Sequence, residues 1–312
     1  MLSFRGNQIF LNENIMKPRP SLSNYPTSKE DARETAREPL TPQTVSPSFH
    51  LSYTDIDFLT REELRPVRLQ LELLKPELLQ QEHGIEATVV VFGSSRIIEQ
   101  EIAAQRLDEA KAAAAESPQD PLLKERLAVA RSILRKSHYY DEARKLGALL
   151  SKLKHHGTGC NIVVITGGGG GIMEAANRGA HDIGAETMGL NIVLPREREP
   201  NGFITPELCF QFHYFSIRKM HFLMRAQALV AFPGGYGTLD ELFETLTLIQ
   251  TKKIHPLPVL LFGKEFWQKL INFEVLVAEG VVGPNDLEIF RFVEKAEEAA
   301  EIIEEYLNSK KL

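Results

Sequence analysis

The run Pro233-Gly-Gly-Tyr-Gly-Thr-Leu-Asp-Glu241 combines what chemistry on a phosphorylated small molecule needs. It follows Ala228-Leu-Val-Ala-Phe232, an apolar run that reads as a buried strand. It precedes Leu239, Leu242, Phe243, Leu246 and Ile249, spaced as one face of a helix. A strand, a glycine turn and a helix start bare backbone N–H groups at a helix N-terminus, where an anion is stabilised. Gly234, Gly235 and Gly237, with Tyr236 and Thr238 beside them, let a ligand approach that backbone closely. Glu241 is expected in the first helical turn, where the macrodipole would keep it ionised. Two readings of this acid stay open at this point. Thr238-Leu-Asp-Glu241 is a capping-box pattern, and a cap needs no chemistry. Glu241 also sits where a fixed acid beside an anion site suggests chemistry on a phosphorylated small molecule.

The elements that must position this acid are legible around it. Ala87-Thr-Val-Val-Val-Phe92 and Asn161-Ile-Val-Val-Ile165 read as buried strands. The first runs into Gly93-Ser94-Ser95. The second runs through Thr166 into Gly167 to Gly171, followed by the helix start Ile172-Met173-Glu174. Further strands are expected at 187–194, 208–212, 228–232, 258–262 and 289–293, with helices between them. Such alternation predicts an α/β fold: a Rossmann-like, doubly wound, mostly parallel sheet with an N-terminal helical extension. In such sheets ligands bind beyond the carboxyl ends of the strands, so the three small-residue turns should gather on one edge.

The organisation expected along the chain is a disordered leader over 1–50, a helical preface over 51–84 and the nucleotide-binding catalytic domain over 85–312. Within that domain, residues 97–156 are a helical segment broken near Ser117-Pro118 and Pro121. Thr60-Arg-Glu-Glu63 reads as a capping box opening a preface helix whose apolar positions are Leu64, Val67, Leu71 and Leu74, with Pro76 starting a second short helix.

The glycine run Gly167–Gly171 is not a dinucleotide fingerprint. Ile172 and Met173 occupy the place of the third glycine, and no acid ends the next strand. A P-loop with its lysine is absent as well. His213 and His221 belong to no cluster with metal-ligand spacing and read as core or surface histidines. Cys160 and Cys209 read as two buried thiols. With 312 residues, 43% of them hydrophobic and 25% charged, the chain is an ordinary globular one. Its net charge of −6 argues against general nucleic-acid binding. No apolar run approaches the ~20 residues that span a membrane, and the expectation is a cytoplasmic protein.

Taken together, Pro233–Glu241, Gly93-Ser-Ser95, Gly167–Glu174 and Phe215-Ser-Ile-Arg-Lys219 resemble the LONELY GUY (LOG) family, nucleoside 5′-monophosphate phosphoribohydrolases that activate cytokinins and were long mislabelled lysine decarboxylases. The resemblance covers roughly residues 85 to 280. The helical preface and the 97–156 segment resemble the longer bacterial members. It implies hydrolysis of an N-glycosidic bond, giving a free base and ribose 5-phosphate, without metal or cofactor. It implies Arg218 and Glu241 as the catalytic pair. Lys219, Gly235 to Thr238 and Thr247 would bind the nucleotide, and Glu197 stands where the family places a further substrate-binding acid. It also implies a homo-oligomer, a dimer at least.

Beside that resemblance, the residues themselves suggest roles. Arg218 can hold a phosphate or orient the acid. Glu174 can hydrogen-bond ribose hydroxyls, with Met173 next to it. Gly93, Ser94, Ser95 and Gly168 to Gly171 complete the expected phosphate or ribose loops. Glu244 can assist Glu241, and Tyr214 and Phe215 can stack on a base. Two other classes compete. A molybdenum-cofactor carrier would need the cradle without Glu241. A pyridoxal-dependent decarboxylase would need a Schiff-base lysine, for which no context is present.

Overall fold

The computed structural model describes residues 25–35, 41–155, 159–195 and 199–309. Among them, seven strands form one sheet in the order β4-β3-β2-β1-β5-β6-β7, every pairing parallel. The strands are β1 (Thr88–Phe92), β2 (Val163–Thr166), β3 (Thr187–Ile192), β4 (Cys209–Phe212), β5 (Ala226–Ala231), β6 (Val259–Phe262) and β7 (Phe290–Val293). Each expected strand is present, and the doubly wound class is the one observed. From β1 the chain winds outward through β2, β3 and β4. It then returns to the other side of β1 for β5. The order therefore reverses at β1, which is where such sheets open a crevice.

The helices are α1 (Ser28–Thr35), α2 (Pro42–Val45), α3 (Ile56–Leu59), α4 (Arg65–Glu82), α5 (Gln100–Glu116), α6 (Pro121–Lys136), α7 (His138–Leu150), α8 (Ile172–Asp182), α9 (Phe215–Met224), α10 (Tyr236–Gln250), α11 (Lys264–Leu270), α12 (Phe273–Ala278) and α13 (Ala296–Ser309). Strand alternation sorts the core into two layers. Val89 and Val91 join Tyr140, Leu146, Ile172 and Ile303 on one face. Val90 and Phe92 join Leu190, Phe222, Leu242 and Trp267 on the other. The first layer is closed by α7, α8 and α13, the second by α9, α10 and α11. Burial on both faces is why these strands are near-continuous apolar runs.

The 97–156 segment is three helices. Asp120 caps α6 by accepting from the Leu122 amide at 2.8 Å, with Pro121 in the first turn. The chain divides at Leu78/Leu79 into two compact units. Residues 25–50 include two short helices without buried side chains, α1 and α2. Thr60 does not open a helix: its hydroxyl donates back to the Ile56 carbonyl at 2.8 Å and closes α3. Nor does Pro76 start one. It lies inside α4, buried on the helix face that also carries half-buried Leu69 and Leu73. The opposite face carries Val67, Leu71 and Leu74, exposed rather than packed. Cys160 and Cys209, expected to be buried, are only partly so.

Candidate active site

The three turns that leave β1, β2 and β5 meet at the switch point. The Ser94 amide donates to the Pro233 carbonyl at 3.0 Å, and the Ile172 amide donates to the Ser94 carbonyl at 3.1 Å. The glycines of these turns fall into two groups. A Cβ on Gly171 would lie 2.4 Å from the Ser94 carbonyl oxygen, and one on Gly93 would lie 2.5 Å from the Ile172 side chain. One on Gly168 would meet the Asn191 amide at 2.3 Å, and one on Gly234 the Thr238 hydroxyl at 2.1 Å. These four are glycines because the protein packs against them. Gly235 and Gly237 have nothing within 4 Å of where a Cβ would stand, and at Gly170 the nearest atom is 3.6 Å away. Packing does not require glycine there. Gly235 and Gly237 face open space on either side of Tyr236, which is 92% exposed.

The loop after β2 is held by a buried polar network. The Thr166 hydroxyl accepts from the Gly168 amide at 3.0 Å and donates to Asn177 Oδ1 at 2.7 Å. Asn177 Nδ2 donates to the Thr187 hydroxyl at 2.6 Å. Asn201 Nδ2 donates to the carbonyls of Gly168 and Gly169 and to Asn177 Oδ1, at 3.2, 3.0 and 3.0 Å. Sequence reasoning passed over both asparagines. Asn177 alone left a trace: an amide on the otherwise apolar face of α8 formed by Ile172, Ala175, Ala176 and Ala180.

Glu241 differs from its expectation in two ways. The helix begins at Tyr236 with Gly235 as its N-cap, so Thr238 is a helical residue and not a cap. The capping-box reading of Thr238–Glu241 fails, and Glu241 stands beyond the first turn. Nor is it kept readily ionised. Burial to 6% exposure pushes its carboxyl up, Arg218 and Lys219 pull it part of the way back, Glu244 and Asp240 push it up again, and the balance stands at about 7. Thr238 is itself buried, with its hydroxyl against Gly234.

The two bases lie on α9. Arg218 Nε donates to the Leu190 carbonyl in β3, at 2.8 Å. Its guanidinium stacks over Phe222 and Phe215 at 5.2 and 5.9 Å, and its Nη2 lies 2.8 Å from where a Gly167 Cβ would be. Arg218 thus reaches both the β2 loop and the field of Glu241. Lys219 Nζ sits 3.1 Å from Asp240 Oδ1 and 3.0 Å from Glu244 Oε2, stitching α9 to α10. Burial works to lower the Lys219 ammonium, but these two carboxylates prevail and hold it above the usual lysine value. Asp240 makes its pair with about half of its side chain in solvent.

The remaining expected site residues are placed as follows. Ser94 and Ser95 line the β1 turn, where Ser94 Oγ accepts from the Arg96 amide at 3.1 Å. Met173 lies under Gly167 and Gly169. Glu174 Oε2 is the 3.6 Å neighbour of the Gly170 position. Thr247 is away from the glycines, on an open groove of about 580 Å³ along α10 with Tyr236, Leu239, Phe243 and Glu244. Glu197 lies outside the described residues. His221 is a core residue, buried against Phe212. Among the described residues no group of three or more His, Cys, Asp or Glu could hold a metal ion, and no helix is long and apolar enough to cross a membrane.

A seven-stranded parallel sheet with an open glycine helix start and a buried acid near its switch point defines a Rossmann-like α/β protein. Comparison with known proteins narrows this. Residues 173–303 match the family described as "Possible lysine decarboxylase". The chain is 33% identical over 178 residues to cytokinin riboside 5′-monophosphate phosphoribohydrolase LOG3 of Arabidopsis thaliana, covering 55% of this chain and 77% of the relative. It is 33% identical over 180 residues to the corresponding LOG protein of Oryza sativa subsp. japonica, covering 55% and 69%. The chain belongs to this LOG family. Among solved structures, a Moco carrier protein from Chlamydomonas reinhardtii is 18% identical over 72% of this chain and 99% of its own, with a TM-score of 0.41, a likeness too loose to bear on function.

Proposed function

We propose that this protein hydrolyses the N-glycosidic bond of nucleoside 5′-monophosphates, AMP-like or cytokinin riboside monophosphates, to a free base and ribose 5-phosphate. The observation that carries the reading is Glu241: a buried carboxyl titrating at about 7, next to a glycine helix start that no packing explains. The reaction puts positive charge on the ribose ring as the bond to the base breaks. The water oxygen bonds to the anomeric carbon, and the electron pair of the broken C–N bond leaves with the base. Glu241 as carboxylate takes a proton from the water and, once protonated, can return one to the departing base. A carboxyl near 7 suits both directions. The open amides from Gly235 to Gly237 receive the phosphate. Arg218 orients the acid and bears on the β2 loop, and Lys219 holds Asp240 and Glu244 in place beside it. A binding-only carrier would use the cradle but would have no need of the buried acid.

Incubation with AMP, followed by chromatography, is expected to release adenine and ribose 5-phosphate, with the bare nucleoside cleaved far more slowly. Equal rates for nucleotide and nucleoside would remove the phosphate cradle from the mechanism. A homo-oligomer belongs to the same proposal, supported by the family and by Phe215, Met220 and Met224, all half exposed on α9. Light scattering of the purified chain tests it.

A further inference from the structure

The helices inserted between β1 and β2 supply a residue to the edge of the site. α7 lies against α8 with almost nothing between the backbones. A Cβ on Gly147 would stand 2.1 Å from the Ala176 carbonyl, and one on Gly179 would stand 1.8 Å from that of Arg144. This approach lets Tyr140, near the start of α7, reach α8. Its Oη donates to Glu174 Oε1 at 2.9 Å. One turn further on, Arg178 pairs with Glu99 at 2.6 Å and donates to the same Oη at 3.4 Å. The Tyr140 ring is buried, and burial above all pushes its hydroxyl up to about 12, so it stays a donor at neutral pH.

With Oε1 so occupied, Glu174 presents Oε2 to the glycine loop. The vacant Cβ position at Gly170 lies 3.6 Å from that oxygen and 4.0 Å from the Ser95 carbonyl. Two acceptors therefore border a spot where packing leaves room. The ligand group that matches two adjacent acceptors is a pair of adjacent hydroxyls, each with a proton to donate. Resting on the nucleotide reading above, we propose that Glu174 accepts the ribose diol and that Tyr140 is the positioning residue that aims it, so that the inserted helical segment sets the discrimination between ribonucleotides and 2′-deoxyribonucleotides. Tyr140 touches no substrate in this scheme and acts through Glu174 alone.

The test compares AMP with 2′-deoxy-AMP in the full-length protein and in Tyr140→Phe, which keeps the ring and removes only the donor. We expect kcat/KM for AMP to fall about tenfold, the scale of one hydrogen bond to a charged group. The value for 2′-deoxy-AMP should hardly change, so the ratio between the two collapses. Glu174→Gln should collapse it too, and adding Tyr140→Phe to Glu174→Gln should change nothing further. An equal loss on both substrates, or additive losses in the double variant, would make Tyr140 a packing residue only and overturn the proposal. If Tyr140→Phe does not fold, Glu174→Gln decides alone: an unchanged ratio overturns the diol assignment. If the wild type releases no base from either nucleotide, the hydrolase reading has failed instead. Calorimetric binding of the two nucleotides to Glu241→Gln then reads the same ratio without turnover, and equal affinities there overturn the diol assignment.

Discussion

The two glycine turns on either side of β1 look alike as sequence and differ as structure. In the loop after β2, Gly168 and Gly171 have left-handed φ values of +78° and +66°, press against neighbours, and are tied down by Thr166, Asn177 and Asn201. In the loop after β5, Gly235 and Gly237 touch nothing, and only Gly234 is packed. Apart from Gly170, the first is a wall with its shape fixed by the protein. The second is a bare helix start whose shape leaves room for something else. Glycine content alone therefore does not mark a ligand site. What marks it is glycine that the fold itself does not need.

The largest test of this contrast falls on the acid that the open turn leads to. Glu241→Gln should lower kcat by about 10²–10⁴ while leaving the fold intact. Turnover near the wild-type level would strip the open turn of its chemistry. The pH dependence carries the same point with a definite sign. If the carboxylate is the active form, activity should rise as pH passes through about 7. Stability should move the other way. The folded-state value lies above the unfolded one, so the folded chain binds the extra proton between the two. Stability then falls as pH climbs from the ordinary carboxyl range through about 7. The loss is on the order of 3 kcal/mol at most. Glu241→Gln should abolish that slope and melt above the wild type at pH 8. Parallel melting profiles would show that Glu241 is not the buried titrating group.

The glycines come next in size. Gly171→Ala places a methyl against the Ser94 carbonyl at a left-handed φ and should cost about 3 kcal/mol or more, read by thermal or urea unfolding. Gly237→Ala should do the reverse. Position 237 is helical and open, so alanine should stabilise it by up to about 1 kcal/mol. Yet kcat/KM should fall, because the methyl stands where a phosphate would approach. Gly237→Ala with full activity would show that the open turn receives nothing. Asn201→Ala should fall between them in stability, losing about 1–3 kcal/mol with the clamp on Gly168 and Gly169.

Sequence patterning exposed the sheet because its inner strands are buried on both faces and write themselves as apolar runs, as in Val89 to Phe92. It located the turns because glycine after a strand has few other causes. It misplaced the start of α10, and with that the standing of Glu241. Thr238 and Glu241 have capping-box spacing, but spacing does not tell which residue first takes helical geometry, and Gly235 does that here. The raised carboxyl depends on burial by residues distant in the chain, which no local pattern records. Tyr140 was illegible for the same reason: its tie to Glu174 exists only because Gly147 and Gly179 let two helices close up. The apolar spacing at Val67, Leu71 and Leu74 does mark a helix, α4, but spacing does not tell whether its apolar face is covered, and this one is exposed.

The smallest expected effect is also the finest probe of how the open turn tunes its acid. Lys219 and Asp240 form one ion pair but act on Glu241 in opposite directions, the ammonium lowering its carboxyl and the carboxylate raising it. Lys219→Met should therefore move the midpoint of the pH–rate profile upward, and Asp240→Asn should move it downward. The two shifts need not be equal. Lys219 is mostly enclosed and Asp240 mostly in solvent, so the ammonium is the less screened of the two and its removal should be felt more. In 1 M salt the Asp240→Asn shift should nearly vanish while the Lys219→Met shift persists in part. A midpoint that both variants move in the same direction would mean that the profile reports the integrity of the ion pair, and not the field at Glu241.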